Sequence, residues 1–248
     1  MKNPSLFVSS ATVVCAVTLF LALHQSSDAA TMVTVPNASF ETPNVTGTDP
    51  YFTQYTLSST PIVGSWVRYG ASGFAAVVEG GRYGALPIGL SGTQFSNQSA
   101  RGATGVFQDI APYDGSGLSS QYWQADMTYS FTVGVFTRSD NPVTATTRLD
   151  IKLYSRANIN AAADVHGGVS VLGSAVNSSS LTDFSFTYTT SASDTFIGQP
   201  IGIWFDSING SGQDWGYDNV RLSFDPVPEV SSLMAGMMGG VLLLRRRR

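Results

Sequence analysis

The sequence predicts an all-β protein built as a β-sandwich, on three observations. Apolar and polar residues alternate over several short stretches, as they do in strands that have one buried face. Long blocks of helix-forming residues do not occur. Segments rich in Gly and Ser, such as residues 114–117 and 209–212, separate the stretches as turns would. Eight or more strands at this spacing favour two packed sheets.

Five stretches show the alternation most plainly, and each predicts a strand with one apolar face. Earlier strands are predicted at residues 32–35, 74–78 and 105–110, and the only helical tendency lies at residues 157–163. Trp204 is out of phase with its apolar neighbours, so it should lie on the opposite face of its strand. The apolar residues of the five stretches are Tyr129, Phe131, Val133 and Val135; Leu149, Ile151 and Leu153; Phe184, Phe186 and Tyr188; Ile201, Ile203 and Phe205; and Val220, Leu222 and Phe224.

The beginning of the chain predicts a secretory signal peptide over residues 1–29, which a signal peptidase would remove after Ala29. Lys2 precedes a largely apolar run, and small residues occupy the positions that the peptidase reads. A retained N-terminal helix is the alternative. Cys15, the single cysteine, lies inside this run, so the exported chain would have neither disulfides nor thiol catalysis.

Residues 30–224 are enough for one β-sandwich domain, and their charge bears on possible partners. Between the predicted signal peptide and the final arginines there are 16 acidic and 8 basic residues. The formal charge of this segment is therefore about −8, which repels phosphate backbones and argues against a nucleic-acid partner. An acidic surface suits calcium ions and neutral sugars better.

Residues 225–248 read as a sorting tail. Val227, Pro228 and Glu229 precede an uncharged apolar segment, and four arginines at residues 245–248 would stay on the cytoplasmic side of a membrane. About fourteen helical residues span roughly 21 Å, less than a bilayer core of about 30 Å, which predicts a temporary hold in the inner membrane.

The tail closely resembles the PEP-CTERM sorting signal of Gram-negative bacteria, although Val230 stands where that motif has a second proline. The resemblance implies processing by a membrane transpeptidase of the exosortase type. Delivery to the cell surface or extracellular matrix would follow. An ordinary tail anchor is the alternative. The membrane stop would consist of Arg245, Arg246, Arg247 and Arg248.

The order of short motifs in the predicted domain resembles the galactose-binding-like jelly roll of carbohydrate-binding modules. The motifs lie at residues 35–41, 64–66, 105–110, 127–131 and 217–222. The resemblance implies a jelly-roll sandwich and a structural calcium ion between its first and last strands. Glu41 and Asp218 would supply carboxylates, and carbonyls near Asn37 further ligands. The alternative is that these are ordinary loop residues.

We expect an exported structural protein of the cell surface or matrix, and no enzyme. The alternative is an exopolysaccharide-binding module, and a polysaccharide hydrolase is a further possibility. The candidate sugar-binding residues lie in loop-like sequence, where packing under a loop is the competing interpretation. His166 is expected to be a solvated loop residue without a serine partner, and no catalytic residue is assigned. The sugar-binding candidates are Tyr83, Trp123, Trp215 and Tyr217.

Overall fold

A computed structural model describes residues 29–45, 52–70, 74–81, 86–101 and 104–227. Within these ranges the chain is all-β, with two short 3-10 turns at Ser119–Gln121 and Gly173–Ala175. The strands are β1 (Thr31–Met32), β2 (Phe52–Gln54), β3 (Val67–Tyr69), β4 (Ala75–Glu79), β5 (Gln94–Arg101), β6 (Thr104–Asp109), β7 (Met127–Thr137), β8 (Arg148–Ser155), β9 (Asp164–Leu172), β10 (Thr182–Thr189), β11 (Ile201–Ile208) and β12 (Ser211–Pro226).

Several predictions fall on other parts of the chain. The predicted signal helix, the candidate Tyr83, the motif residues Pro228 and Glu229 and the four final arginines lie outside the described residues. Val227 is the last residue that the structure describes, directly after β12. In the described part of the chain, no helix has the length and apolar character needed to cross a bilayer.

The strands form two antiparallel sheets that pack face to face, as the jelly-roll prediction requires. Sheet A has seven strands in the order β10-β7-β12-β5-β4-β2, with β1 paired to the end of β12. Sheet B has five strands in the order β3-β6-β11-β8-β9. The predicted all-β sandwich is therefore confirmed.

Most of the predicted alternation is confirmed by the core between the two sheets. The apolar residues of β7, β8 and β11 that were predicted to face inward are all buried. In β10, Phe184, Phe186 and Tyr188 are only partly buried, because this strand lies at the edge of sheet A. Trp204 lies on the opposite face of β11, as expected, and contacts Tyr69 and Tyr154 there.

Three features differ from the sequence prediction. The segment at residues 157–163 is not helical but consists of turns, in which the Asn158 side chain accepts a hydrogen bond from Asn160 N. β1 is only two residues long and shares a single residue, Met32, with the strand predicted at residues 32–35. β2, β3, β5 and β9 were not predicted at all.

β5 escaped prediction because its pattern is inverted. Gln94, Ser96 and Gln98 pair in register with inward-facing residues and lie inside the sandwich, whereas Phe95 and Asn97 face outward. Gln98 Nε2 donates a 2.6 Å hydrogen bond to Thr104 O, so the buried amide is paired. This inversion places apolar side chains on a sheet face that is usually polar.

Candidate functional site

The outer face of sheet A carries an ordered array of side chains that the strand registers define. Because side chains alternate along a strand, residues in register on β4, β5, β12 and β7 share this face. The rows are Phe74, Ser99, Asp214 and Arg138; Ala76, Asn97, Gly216 and Phe136; and Val78, Phe95, Asp218 and Gly134.

Apolar side chains fill much of this face. Ala76, Val78, Phe95 and Phe136 are buried there as a second hydrophobic cluster, separate from the core between the sheets. The rings of Phe95 and Phe136 meet edge to face, with centroids 4.9 Å apart. The outer side of a two-layer sandwich would ordinarily face water, so a buried apolar cluster here marks a candidate ligand-binding surface.

Two loops cover the cluster, and we call residues 86–92 and 177–181 together the flap. Ile88 N donates a 2.8 Å hydrogen bond to Ser179 O, and Leu181 N donates one of 2.9 Å to Ile88 O. Leu90 and Leu181 pack on the cluster, while Ile88 itself is 79% exposed. Two backbone hydrogen bonds thus join the loops that close this face.

Asp214 is the buried carboxyl group at one end of the array. Arg138 Nη1 lies 2.9 Å from Asp214 Oδ2, and Asn141 Nδ2 donates a 3.0 Å hydrogen bond to the same oxygen. Burial raises the pKa of Asp214 above its ordinary value, although Asn141 and Arg138 oppose this. A buried carboxyl with a raised pKa beside an apolar surface is a candidate proton donor.

Sequence reasoning did not single out Asp214, although a signal was present. From residue 214 to residue 218, Asp or Gly alternates with large aromatics. Trp215 and Tyr217 are both fully buried between the sheets, so the carboxyls of Asp214 and Asp218 must lie on the outer face. Alternation extended backwards from Val220 would have turned both carboxyls inward, because the register of β12 shifts between Asp218 and Arg221.

Asp218, a predicted calcium ligand, lies at the other end of the array. Its Oδ2 accepts a 2.7 Å hydrogen bond from Ser91 N, whereas the buried Oδ1 has no partner among the described residues. Burial raises the pKa of Asp218 to about 6, and the negative charge of Glu41 adds to this. A cation bound at this point would offset the negative charges of an ionised Asp218 and of Glu41.

Glu41 approaches the same loop as Asp218. Its Oε1 accepts hydrogen bonds of 3.1 Å from Thr93 N and 3.0 Å from Gln94 N. The first and last strand regions do lie side by side, since Val220 N donates a 3.0 Å hydrogen bond to Ala38 O. Asn37 uses its side chain locally, where Oδ1 accepts a hydrogen bond from Thr42 N at 3.0 Å.

The donor set is compatible with calcium only if carbonyl oxygens or waters complete it. Calcium takes six to eight oxygen ligands, and Glu41 and Asp218 supply two carboxylates. The described ranges contain no group of three or more His, Cys, Asp or Glu placed to hold a metal. The orphaned Oδ1 of Asp218 is the feature that fits a cation.

The described sugar-binding candidates do not present ring faces to solvent. Trp123 is 1% exposed, and its Nε1 donates a 3.2 Å hydrogen bond to Tyr154 O. Trp215 and Tyr217 are fully buried in β12, so the expectation that they lie in loops is wrong. Strong alternation in this strand directs both rings into the core.

His166 is also placed differently from the expectation. It lies in β9, stacks on Phe196 with a centroid distance of 3.6 Å, and its Nε2 lies 2.8 Å from Ser155 Oγ. Burial lowers the pKa of His166. The histidine is therefore a packed residue with a serine partner. It lies beside the C-terminal end of β8, whereas the N-terminal end of β8 pairs with Ile208, which precedes β12 and Asp214.

The family model described as HpiC1-like, HpiC1 cyclase, matches residues 31–223. The crystal structure of a Stig cyclase, Fisc from Fischerella sp. TAU, in complex with (3Z)-3-(1-methyl-2-pyrrolidinylidene)-3H-indole, has 16% sequence identity and a TM-score of 0.57. A cyclase from the same organism in complex with 4-(1H-indol-3-yl)butan-2-one has 17% identity and a TM-score of 0.55. Both alignments cover 81% of this chain and 100% of the other. No curated protein matches the sequence.

These matches correct the functional expectations. A cyclase-family match over residues 31–223 overturns the assignment to PEP-CTERM sorted proteins. Among the residues that the structure describes, none forms a helix able to cross a membrane. It also overturns the expectation of a non-enzymatic surface protein and its sugar-binding alternative. The error has a physical reason: a sorting motif carries no information on chemistry, and binding modules and enzymes share the jelly roll. Export through the signal peptide stays a prediction.

Proposed function

The chain belongs to the HpiC1-like cyclase family, and we propose that it closes a ring in its substrate on the outer face of sheet A. The observation that carries the proposal is Asp214, a buried carboxyl with a raised pKa beside an apolar aromatic surface. A carboxyl whose pKa is raised by burial is better suited to deliver a proton to a weakly basic carbon than an ordinary aspartate.

The reaction we propose is an isomerisation in which Asp214 both gives and regains one proton. The carboxyl O–H bond breaks as a C–H bond forms on one carbon of an alkene, which leaves a carbocation on the other carbon. A second π-bond of the substrate attacks that cation and closes the ring. The positive charge then lies on the fragment that supplied the second π-bond. Loss of a proton from the carbon of that fragment that formed the new bond, to the Asp214 carboxylate, restores the acid and the π-bond, and the product keeps the atomic composition of the substrate.

The aromatic side chains have a defined part in this chemistry. The electron-rich faces of Phe95 and Phe136 would stabilise a nearby carbocation, since a cation is attracted to the face of an aromatic ring. The buried face also excludes water, which would otherwise capture the cation before the ring closes. A substrate reaches this face when the flap moves and Leu90 and Leu181 leave the cluster.

The substrate we propose is flat, largely apolar and unsaturated, with an indole-type ring. The apolar character of the face supports this, and so do the indole compounds bound to the two solved cyclases. Phe136 and Phe95 offer ring edges and faces against which a flat bicyclic group can pack.

A direct test uses 3-(3-methylbut-2-enyl)indole, whose alkene and ring carbon C2 can join in a five-membered ring. Incubation in D₂O should give a product of unchanged skeleton mass plus one deuterium, placed on the carbon that was protonated. Asp214→Asn should form no product, while the matched control Asp183→Asn, an exposed aspartate on the same sheet face, should stay active. Product without deuterium, or an active Asp214→Asn variant, would refute proton-initiated closure by Asp214.

We also propose that a calcium ion binds between Glu41 and Asp218. The unpaired buried Oδ1 of Asp218 and the like charge of Glu41 support this, since each favours a cation at that point. The ion would tie the loop at residues 91–94 to β12 and so hold the base of the flap. Its role here is structural, and no step of the reaction passes through it.

A further inference from the structure

Asn97 stands out on the outer face of sheet A because its side chain is buried but unpaired. It is 0% exposed, yet within the described part of the chain neither Nδ2 nor Oδ1 has a hydrogen-bond partner. Buried polar groups are nearly always paired, so an amide that satisfies neither its donor nor its acceptor calls for an explanation.

The residues beside Asn97 on the sheet explain why its amide has so few polar groups nearby. Its row on the sheet contains Ala76 on one side and Gly216 on the other, and neither offers a polar side-chain atom. Asp214 lies close enough for the Asn97 amide to lower its pKa. However, Asp214 Oδ2 is already engaged by Arg138 and Asn141. The Asn97 amide therefore interacts with the Asp214 carboxyl, but within the described residues it makes no hydrogen bond of ordinary geometry.

Packing alone would favour an apolar residue at this position. Phe95 and Phe136, on the same face, belong to a buried hydrophobic cluster that a leucine would extend. Replacement of an unpaired buried polar group by an apolar one of similar shape is nearly neutral or stabilising. Residues retained against stability are found where function requires them.

We propose that Asn97 is a specificity-determining residue that hydrogen-bonds the substrate through both atoms of its amide. This inference rests on the proposed cyclase site and adds a chemical requirement to it. The free Oδ1 accepts and the free Nδ2 donates, so the complementary group carries an N–H donor beside a carbonyl acceptor. A lactam or secondary amide fused to a flat ring has this arrangement.

The test compares oxindole, a bicyclic lactam, with 1-methyloxindole, which lacks the N–H donor. Isothermal titration calorimetry should show that the wild-type protein binds oxindole about tenfold more tightly, because the methylated analogue leaves Asn97 Oδ1 unpaired. Asn97→Leu should bind the two compounds equally. The matched control Gln54→Leu, an exposed amide on the edge strand of the same sheet face, should keep the tenfold preference.

Other outcomes distinguish this inference from the proposed function. Equal binding of both compounds by the wild type, with NMR shift changes on the outer face of sheet A, would overturn the role of Asn97 and leave the site intact. A preference that persists in Asn97→Leu would also overturn it, since the methyl group would then act by size. Shift changes elsewhere, or no binding at millimolar concentration, would overturn both proposals.

The melting temperature distinguishes an asparagine that recognises substrate from one that stabilises the fold. The melting temperature of Asn97→Leu should equal or exceed that of the wild type, because the variant removes an unpaired buried amide. A fall of about 5 °C or more would show that Asn97 supports the fold and would overturn its assignment to substrate recognition.

Discussion

Asp214 and Asp218 lie on the same face of β12, one on each side of the row that contains Gly216. Both are buried, and burial raises the pKa of each, but their neighbours differ. Asp214 is paired with Arg138, whereas Asp218 faces the like charge of Glu41. The same residue type on one strand is therefore suited to proton transfer at one end and to cation binding at the other.

Replacement of Asp214 by Asn should lower the rate of ring closure by at least about 100-fold, the smaller end of what general acids contribute. The amide keeps the shape of the side chain but has no acidic proton to give. Single-turnover product formation measures the effect, and a melting temperature close to that of the wild type shows that the fold is kept. A rate within a factor of three of the wild type would rule Asp214 out as the acid.

The pH dependence of the same reaction should identify the group that titrates. Asp214 must be protonated to act, so activity should fall as the pH rises through its pKa, which burial places above the ordinary value for aspartate. The Asp218→Asn variant should show the same fall in activity with rising pH. If that fall is absent in the Asp218→Asn variant, the titrating group is Asp218.

Replacement of Arg138 by Gln should move the fall in activity to higher pH. Arg138 lowers the pKa of Asp214, and its removal leaves the buried carboxyl without its cationic partner. The free energy of unfolding should fall by about 3 kcal/mol, as for other broken buried pairs. Arg221→Gln is the matched control, because the Arg221–Asp183 pair is about half exposed, and there the change should stay below about 1 kcal/mol. Equal effects of both variants would contradict the burial argument.

Calcium should raise the melting temperature at pH 7, and Asp218→Asn should remove that response. In the metal-free protein the folded pKa of Asp218, about 6, exceeds the ordinary 3.8, so the protonated form favours folding. The contribution of protonated Asp218 to the free energy of unfolding is fully present below pH 4. About 3 kcal/mol of it is lost as the pH rises from 4 to above 6. Metal-free Asp218→Asn should not show that loss. A calcium response that survives in Asp218→Asn would place the ion elsewhere.

Replacement of Gly216 by Ala should destabilise the protein through the Phe136 ring. The added Cβ would overlap that ring, which lies across the glycine, so the ring must shift at a cost of about 1–3 kcal/mol. In a Phe136→Leu background the same replacement should cost less, and a double-mutant cycle with urea unfolding measures the difference. Additive effects would show that the glycine and the ring are not coupled.

The sandwich could be predicted because most strands bury one apolar face. Tyr129, Phe131, Val133 and Val135 alternate along β7, and all four are buried as the pattern requires. β9 lacks a single phase of alternation, because its register against β8 shifts between Leu153 and Tyr154 and it exposes Val165 and Leu172. Local alternation reports which side of a strand is buried, and a shift of register within the strand interrupts that signal.

The candidate site could be predicted only in part. Glu41 and Asp218 were singled out together, and the structure brings both to one loop. Asp214 and Asn97 were not, because an acid or an amide in a strand reads as solvent-facing until the register shows an apolar cluster around it. That cluster assembles residues from four strands, and nothing in one stretch of sequence reveals which neighbours a sheet will provide.

The inverted pattern of β5 has a consequence for how the strand finds its place. Burial of apolar area alone would favour a one-residue slip that turns Phe95 inward and Gln94 and Gln98 outward. Directional bonds oppose the slip: the Gln94 amide donates to Phe40 O and Pro43 O at 3.2 Å, and Tyr217 donates to Gln98 at 3.1 Å. A redesign of β5 that maximised only the apolar character of the core would replace its inward-facing polar residues and raise stability. It would also remove the apolar outer face on which the proposed chemistry depends.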